Sequence, residues 1–210
     1  MKRVLDILFS FVGLVLLLPL FILAAIFIKI DSSGSVFFKQ ERIGLNFGPF
    51  TIYKFRTMVK GAQAKGFQIT AGGDPRVTRV GKILRKTKFD ELPQLINVLK
   101  GEMSLVGPRP EVKQYVDLFR EDYKDILKIR PGITDLSSIT FREEEQVLKN
   151  QIDPECYYKT TLLPEKIRLA KEYKGNSSFL YDLKLIFKTL RVIALPSHIP
   201  QSILYPHKIN

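Results

Sequence analysis

Gly81–Glu111 reads GKILRKTKFDELPQLINVLKGEMSLVGPRPE, and the fold and chemistry of the chain are organised around it. Adjacent carboxylates, Asp90 and Glu91, stand between a basic run and an arginine set between prolines in Gly107-Pro108-Arg109-Pro110. Between Asp74 and Asp90 every charge is positive: Arg76, Arg79, Lys82, Arg85, Lys86 and Lys88. Half of these belong to a solvated helix face. Arg85, the nearest arginine upstream of the dyad, is the candidate to neutralise a diphosphate. The flanking prolines fix φ on both sides of Arg109, so its fork loses less entropy on binding. Such a guanidinium suits bidentate contact with phosphate. Lys54 and Arg56, leaving a predicted hairpin, add to the same field.

Asp90 begins a predicted helix from Asp90 to about Lys100 that stops at Gly101, and it admits two readings. Asp before a helix is an ordinary N-cap. The same place favours negative charge and gathers phosphate oxygens. An ionised Asp there can attack phosphorus. A neighbouring carboxylate can bind a divalent cation or accept a proton.

At the N-terminal end, Ile7–Ile28 carries no charge. A straight helix of that length reaches about 33 Å at roughly 1.5 Å per residue, enough for a bilayer core. Pro19 sits near its middle and is expected to kink or break it. Positive charge flanks both ends, with Lys2 and Arg3 before, Lys29 and Lys39 after. Symmetric flanks favour a re-entrant segment over a single span, whose orientation a charge asymmetry would set. A cleaved signal peptide fits less well.

The chain has 210 residues, is 45% hydrophobic and carries a net charge of +12, which suits one globular domain with a membrane segment attached. The basic excess attracts phosphorylated substrates, anionic lipid or nucleic acid, without choosing among them. Cys156 stands alone and the histidines are His198 and His207, which argues against a disulfide framework, a zinc site and a Ser-His-Asp triad.

Val36–Thr57 reads as a β-hairpin with a longish loop. Val59–Gly73 reads as a mobile loop of the kind that forms lids. Asp74-Pro75 reads as an N-cap and first helical position, opening a helix to about Lys86 with Val80, Ile83 and Leu84 on one side. Glu111–Lys128 has helical spacing, and Arg130-Pro131-Gly132 marks a turn. Further helices are predicted over Glu143–Lys149, Pro164–Tyr173 and Phe179–Ala194, the last capped by Ser177 or Ser178. This final helix sets Leu180, Leu183, Phe187, Leu190 and Ile193 toward one side, and Lys184, Lys188 and Arg191 toward another. It can lie in a membrane interface or pack as a core helix with a basic outer face. The expected class is α+β, mostly helical, with an N-terminal re-entrant membrane helix, a small β-hairpin and membrane-surface amphipathic helices. Its parts are a re-entrant segment over 1–31, a cytosolic catalytic domain over 32–195 and an irregular C-terminal tail over 196–210.

At these residues the chain resembles the bacterial sugar transferase family, the monotopic polyprenol-phosphate phosphoglycosyl transferases in their minimal catalytic form. The resemblance runs in order through the proline-interrupted apolar segment, YKFRTM at Tyr53–Met58, DPRVTRVGKILRK leading into FDELPQLINVLKGEMSLVGPRP, and RPGIT at Arg130–Thr134. It implies transfer of a sugar phosphate from a UDP-sugar to polyprenol (undecaprenyl) phosphate at the cytoplasmic face of the bacterial inner membrane, releasing UMP. This would be the first membrane step of an O-antigen, capsule or exopolysaccharide. It further implies Asp90 as nucleophile, Glu91 as its acid/base and charge partner, Mg²⁺ (or Mn²⁺) at Asp90 and Glu91, and Arg109 on phosphate. A homodimer is left open, and nucleic acid is not expected as a partner. Two departures stand out. Leu18 precedes Pro19 where the family commonly has Ser, and after RPGIT the chain reads Asp135-Leu-Ser-Ser-Ile-Thr-Phe-Arg142 where many members read Gly-Trp-Ala-Gln-Val-Asn-Gly-Arg. The rival readings are a non-enzymatic membrane-anchored basic binding module and a membrane-tethered nucleic-acid binder. The latter lacks a recognisable nucleic-acid motif.

Overall fold

The computed structural model describes residues 2–62 and 69–194. It is mostly helical with a small antiparallel hairpin, as the sequence pattern predicts. The first element, α1, spans Lys2–Asp31. It continues through Pro19, so the expected break is absent. The proline removes a single donor from the ladder, and in apolar surroundings the other amides have no better partner than their own helix.

The two ends of α1 are tied to the same body. At the N-terminal end, Lys2 donates to Val106 O, Tyr173 Oη and Asp182. Arg3 donates to Val98 O and Leu99 O, and the buried Asp6 accepts from Ser104 Oγ and Leu105 N. At the other end Ala24 and Ile28 are buried with Phe55 and Leu84, and Asp31 accepts from Val80 N. Between these ends lies an exposed apolar surface that includes Phe9, Phe11, Leu16, Leu18 and Ile22. This is the one described helix long and apolar enough to cross a membrane.

The hairpin follows, with β1 (Phe37–Ile43) antiparallel to β2 (Pro49–Phe55) and Phe37 opposite Phe55. Its loop holds a 3₁₀ turn, Leu45–Phe47, in which Asn46 and Phe47 take positive φ. Helix α2 is Arg79–Lys86, later than expected. Its cap is Thr78, whose side chain accepts from Gly81 N, while Asp74 closes a local turn by accepting from Arg76 N and its guanidinium. Ile83 is exposed, unlike Leu84. The predicted Asp90–Lys100 helix is two pieces, a 3₁₀ segment Phe89–Gln94 and α3, Leu95–Lys100. Pro93 lies inside the first piece and has no N–H to continue an α ladder. Gly101 ends α3 with φ +87.

Glu111–Lys128 also divides, into α4 (Lys113–Leu118) and α5 (Arg120–Ile126), with Phe119 at φ −124, ψ 40 between them. The Arg130–Gly132 turn feeds an element that the sequence pattern misses. Strands β3 (Ser104–Val106) and β4 (Gly132–Thr134) pair in parallel. Gly107 and Gly132 permit the approach, because a Cβ on Gly132 would sit 2.0 Å from Gly107 N. Then come α6 (Leu136–Thr140), α7 (Glu144–Lys149), α8 (Pro154–Tyr157), a π-type turn over Tyr158–Leu162, α9 (Leu163–Asn176) and α10 (Phe179–Ala194). Ser178 caps α10, its Oγ accepting from Tyr181 N.

The main core joins α4, α5, α6 and α9 with Leu185 of α10. The expected apolar stripe of α10, Leu180, Leu183, Phe187, Leu190 and Ile193, faces outward. That favours the interface-type reading of this helix over the core-helix one. Part of the predicted lid, residues 63–68, and the predicted tail, residues 196–210, lie outside the described residues.

Candidate active site

Phe89 fixes the dyad from below. It stacks on Phe55 and meets Phe21 edge-on, two residues beyond Pro19, so α1, β2 and the 3₁₀ segment share one aromatic cluster. Lys88 turns the chain into that segment with φ +56, and the segment has no side-chain cap. Asp90 is therefore not an N-cap. Its side chain is buried at a cavity wall, and its Oδ1 has no hydrogen-bond partner among the described residues. Burial, with help from the Glu91 charge, pushes the Asp90 carboxyl up to about 6, against the pull of Lys54 and Arg85. The sequence argument placed a helix terminus beside Asp90 to keep it ionised. The structure instead gives a desolvated carboxylate that still ionises below neutrality.

Glu91 behaves oppositely. Burial alone would raise its proton affinity, but Arg109 and Lys54 hold it well below the usual carboxylate range. Arg109 grips it with both arms, Nη2 to Oε1 at 2.8 Å and Nη1 to Oε2 at 3.3 Å. Lys54 Nζ donates to Oε1 at 2.7 Å. Lys54 is aimed by the strand that carries it. The fully buried Asn97 accepts from Tyr53 N and donates to Thr51 O, pinning β2 onto α3. Arg109 is aimed by its stiff support, with Pro108 O accepting from Gly132 N and Pro110 O from Arg42. Its Nη1 also donates to Ser138 Oγ at 3.1 Å, and Asp135 Oδ2 lies 4.0 Å away.

Arg85 lines the same cavity, donating to Thr57 Oγ1 and Glu145. Arg56 does not join Glu91, Arg109 and Lys54. Its guanidinium is buried and donates to Ile28 O, Ser32 O and Ser33 O, the open carbonyls at the end of α1. There it clasps the end of α1. Pro19 lies in α1 and reaches the site only through Phe21. The cavity has a volume of about 390 Å³. Behind the dyad its wall is a buried polar chain, in which Glu111 accepts from Arg42 and Tyr158, and Lys166 pairs with Glu144. Asn97, Ser138 and this chain were missed in the sequence. Only Asp135, three residues before Ser138, left a capping signal, and its side chain accepts from Ser138 N.

Asp90 Oδ1 and the neighbouring Glu91 suit a hard divalent cation. Magnesium needs only one or two carboxylates when phosphates supply further oxygens. Among the described residues no three His, Cys, Asp or Glu side chains gather as a dedicated cation cage.

The bacterial sugar transferase family profile matches residues 1–195. The chain is 38% identical over 199 residues to the UDP-N-acetylgalactosamine-undecaprenyl-phosphate N-acetylgalactosaminephosphotransferase of Aeromonas hydrophila, covering 91% of this chain and 43% of that protein. It is 37% identical over 209 residues to the exopolysaccharide production protein ExoY of Rhizobium meliloti, covering 92% and 85%. To the UDP-glucose:undecaprenyl-phosphate glucose-1-phosphate transferase of Caulobacter vibrioides it is 37% identical over 193 residues, covering 90% and 68%. With the match extending from the apolar helix through the dyad to α10, the chain belongs to the bacterial sugar transferase family.

Proposed function

We propose that this transferase moves a sugar phosphate from a UDP-sugar onto undecaprenyl phosphate, in two steps through Asp90. The observation that carries the reading is Asp90 itself, a buried carboxylate with an unpartnered oxygen, on a cavity wall shared with Lys54, Arg85 and Arg109. In the first step an Asp90 oxygen bonds to the phosphorus that bears the sugar. The bond from that phosphorus to UMP breaks, and its electron pair leaves with UMP. In the second step an oxygen of the polyprenol phosphate bonds to the same phosphorus and the Asp90 carboxylate departs, giving the polyprenol-diphosphate sugar. A carboxylate stripped of water is a better nucleophile than a solvated one, and it is regenerated intact.

Glu91 serves as a charge partner. Its low proton affinity leaves it ionised, so it keeps Lys54 and Arg109 in place for the diphosphate. Mg²⁺ (or Mn²⁺) would be held by Asp90, Glu91 and substrate phosphate, and would neutralise charge on the leaving phosphate. Glu91 retains acceptor sites beyond those its two cations use.

The membrane part of the proposal rests on α1. Both of its ends are bonded to the catalytic body, so both belong on the side where that body sits, the cytoplasmic face. The exposed apolar surface between them faces the lipid. The outward stripe of α10 adds a second contact, flanked by exposed Lys184, Lys188 and Arg191.

The decisive assay incubates the purified protein with a panel of UDP-sugars, undecaprenyl phosphate and Mg²⁺, and measures UMP. Without acceptor, a labelled phosphosugar should become attached to the Asp90 peptide. Absence of UMP with every donor would sink the enzymatic reading. Strictly sequential kinetics would remove the covalent step.

A further inference from the structure

Buried polar atoms in native proteins are nearly all paired, so unpaired ones gathered at one cavity point to a polar ligand. Among the described residues Arg42 Nε, Asp90 Oδ1, Tyr115 Oη, Asp135 Oδ2 and Thr189 Oγ1 lack hydrogen-bond partners, and all five residues line the same cavity. The proposed reaction uses Asp90 and leaves Asp135 and Thr189 without a task. Asp135 is 3% exposed. Its Oδ1 is spent on Ser137 Oγ and Ser138 N, which starts α6. Its Oδ2 lies 4.0 Å from Arg109 Nη1, too far for a hydrogen bond. Burying a half-used carboxylate is unfavourable unless something donates to it. Thr189 comes from α10 and brings a hydroxyl that both donates and accepts.

We propose that Asp135 and Thr189 read the ring hydroxyls of the donor sugar. The inference rests on the proposed function, which places the phosphorus bearing the sugar against Asp90, with Arg109 alongside. A ring attached to that phosphate then lies near Asp135, whose Oδ2 is 4.0 Å from Arg109 Nη1. Carboxylates accept strongly from sugar O–H groups and offer nothing to another carbonyl or phosphate. The same cavity is also lined by Ile139, Leu190, Val192 and Ile193, apolar side chains suited to the C–H face of a hexose or the methyl of an acetamido group. Selection thus comes from a hydrogen-bonded hydroxyl pattern, which discriminates epimers more sharply than apolar fit.

Calorimetric titration of the whole protein with UDP, UDP-glucose, UDP-galactose and their N-acetylhexosamine counterparts tests this. Wild type should bind one sugar nucleotide roughly tenfold or more tighter than UDP, as a hydrogen bond to a charged group predicts. Asp135→Asn keeps the cap, since Asn caps helices about as well as Asp. It should erase most of that preference while leaving the affinity for UDP within about twofold. Thr189→Val should weaken the same preference less. The proposal is overturned if wild type shows no sugar preference over UDP, if both variants keep it, or if UDP affinity falls in parallel, which would make Asp135 a support for Arg109 alone. Sugar-selective binding without UMP release would count against the reaction scheme and leave this inference standing.

Discussion

At neutral pH, Asp90 weakens the fold that holds it. Its carboxyl titrates at about 6 instead of an ordinary 3.8. Below the unfolded value the group is protonated in both states and imposes no penalty. As pH rises through the folded value the full penalty develops, about 3 kcal/mol for a shift of this size. Asp90→Asn should therefore abolish UMP release yet raise the thermal midpoint at pH 7, with the gain vanishing below about pH 4. A midpoint that does not respond to pH would place the charge elsewhere. The wild-type rate should climb with pH as Asp90 ionises, and added Mg²⁺ should shift that rise to lower pH by favouring the carboxylate. For Arg109 the geometry gives a second expectation. Lysine keeps the charge but cannot grip both Glu91 oxygens and Ser138 together, so Arg109→Lys should lower turnover about tenfold or more. Wild-type turnover in that variant would show that charge alone suffices. These two residues were legible in the sequence because each announces itself locally, as a paired acid and as a proline-framed arginine. The clasp made by Arg56 was not legible, because its partners are backbone carbonyls, which any residue can supply. Asp135 stood out only as the start of a departure from the family's common pattern, because its neighbour Arg109 reaches it through a parallel strand pair far apart in sequence.

Elements with a clear period were read well. The hairpin, α7, α9 and α10 stand close to where apolar spacing puts them. Strands β3 and β4 were not, because three residues carry no period, and what pairs them is the bare backbone of Gly107 against Gly132. The 3₁₀ segment at the dyad was also hidden, since Pro93 fits the first turn of an α-helix as well. Helix α2 shows how tightly these pieces are set. A Cβ on Gly81 would lie 2.1 Å from Thr57 O, and backbone cannot yield as a side chain does. Gly81→Ala should push α2 outward, lower stability by about 1–3 kcal/mol, and carry Arg85 off Thr57 Oγ1. Measured thermal midpoint and UDP-sugar affinity should fall together; an unchanged affinity would remove Arg85 from donor binding.

For the molecule as a whole, the sequence pattern admits two topologies for α1, and on the proposed function both of its ends belong to the cytoplasmic side. With Cys156 replaced by Ser, a cysteine inserted before Lys2 and another at Lys29 should react with an impermeant reagent from the cytoplasmic side only. Periplasmic labelling of the first would establish a span. The placement of α10 has a kinetic counterpart. Leu190 and Ile193 belong at once to the outward apolar stripe and to the cavity wall, so on the proposed function lipid and active site share a boundary. A long-chain acceptor then arrives sideways, by diffusion within a sheet, and what governs its encounter is its number per unit area of bilayer. Diluting the acceptor with inert lipid, at fixed total amount, should slow the second half-reaction in proportion and leave the first untouched.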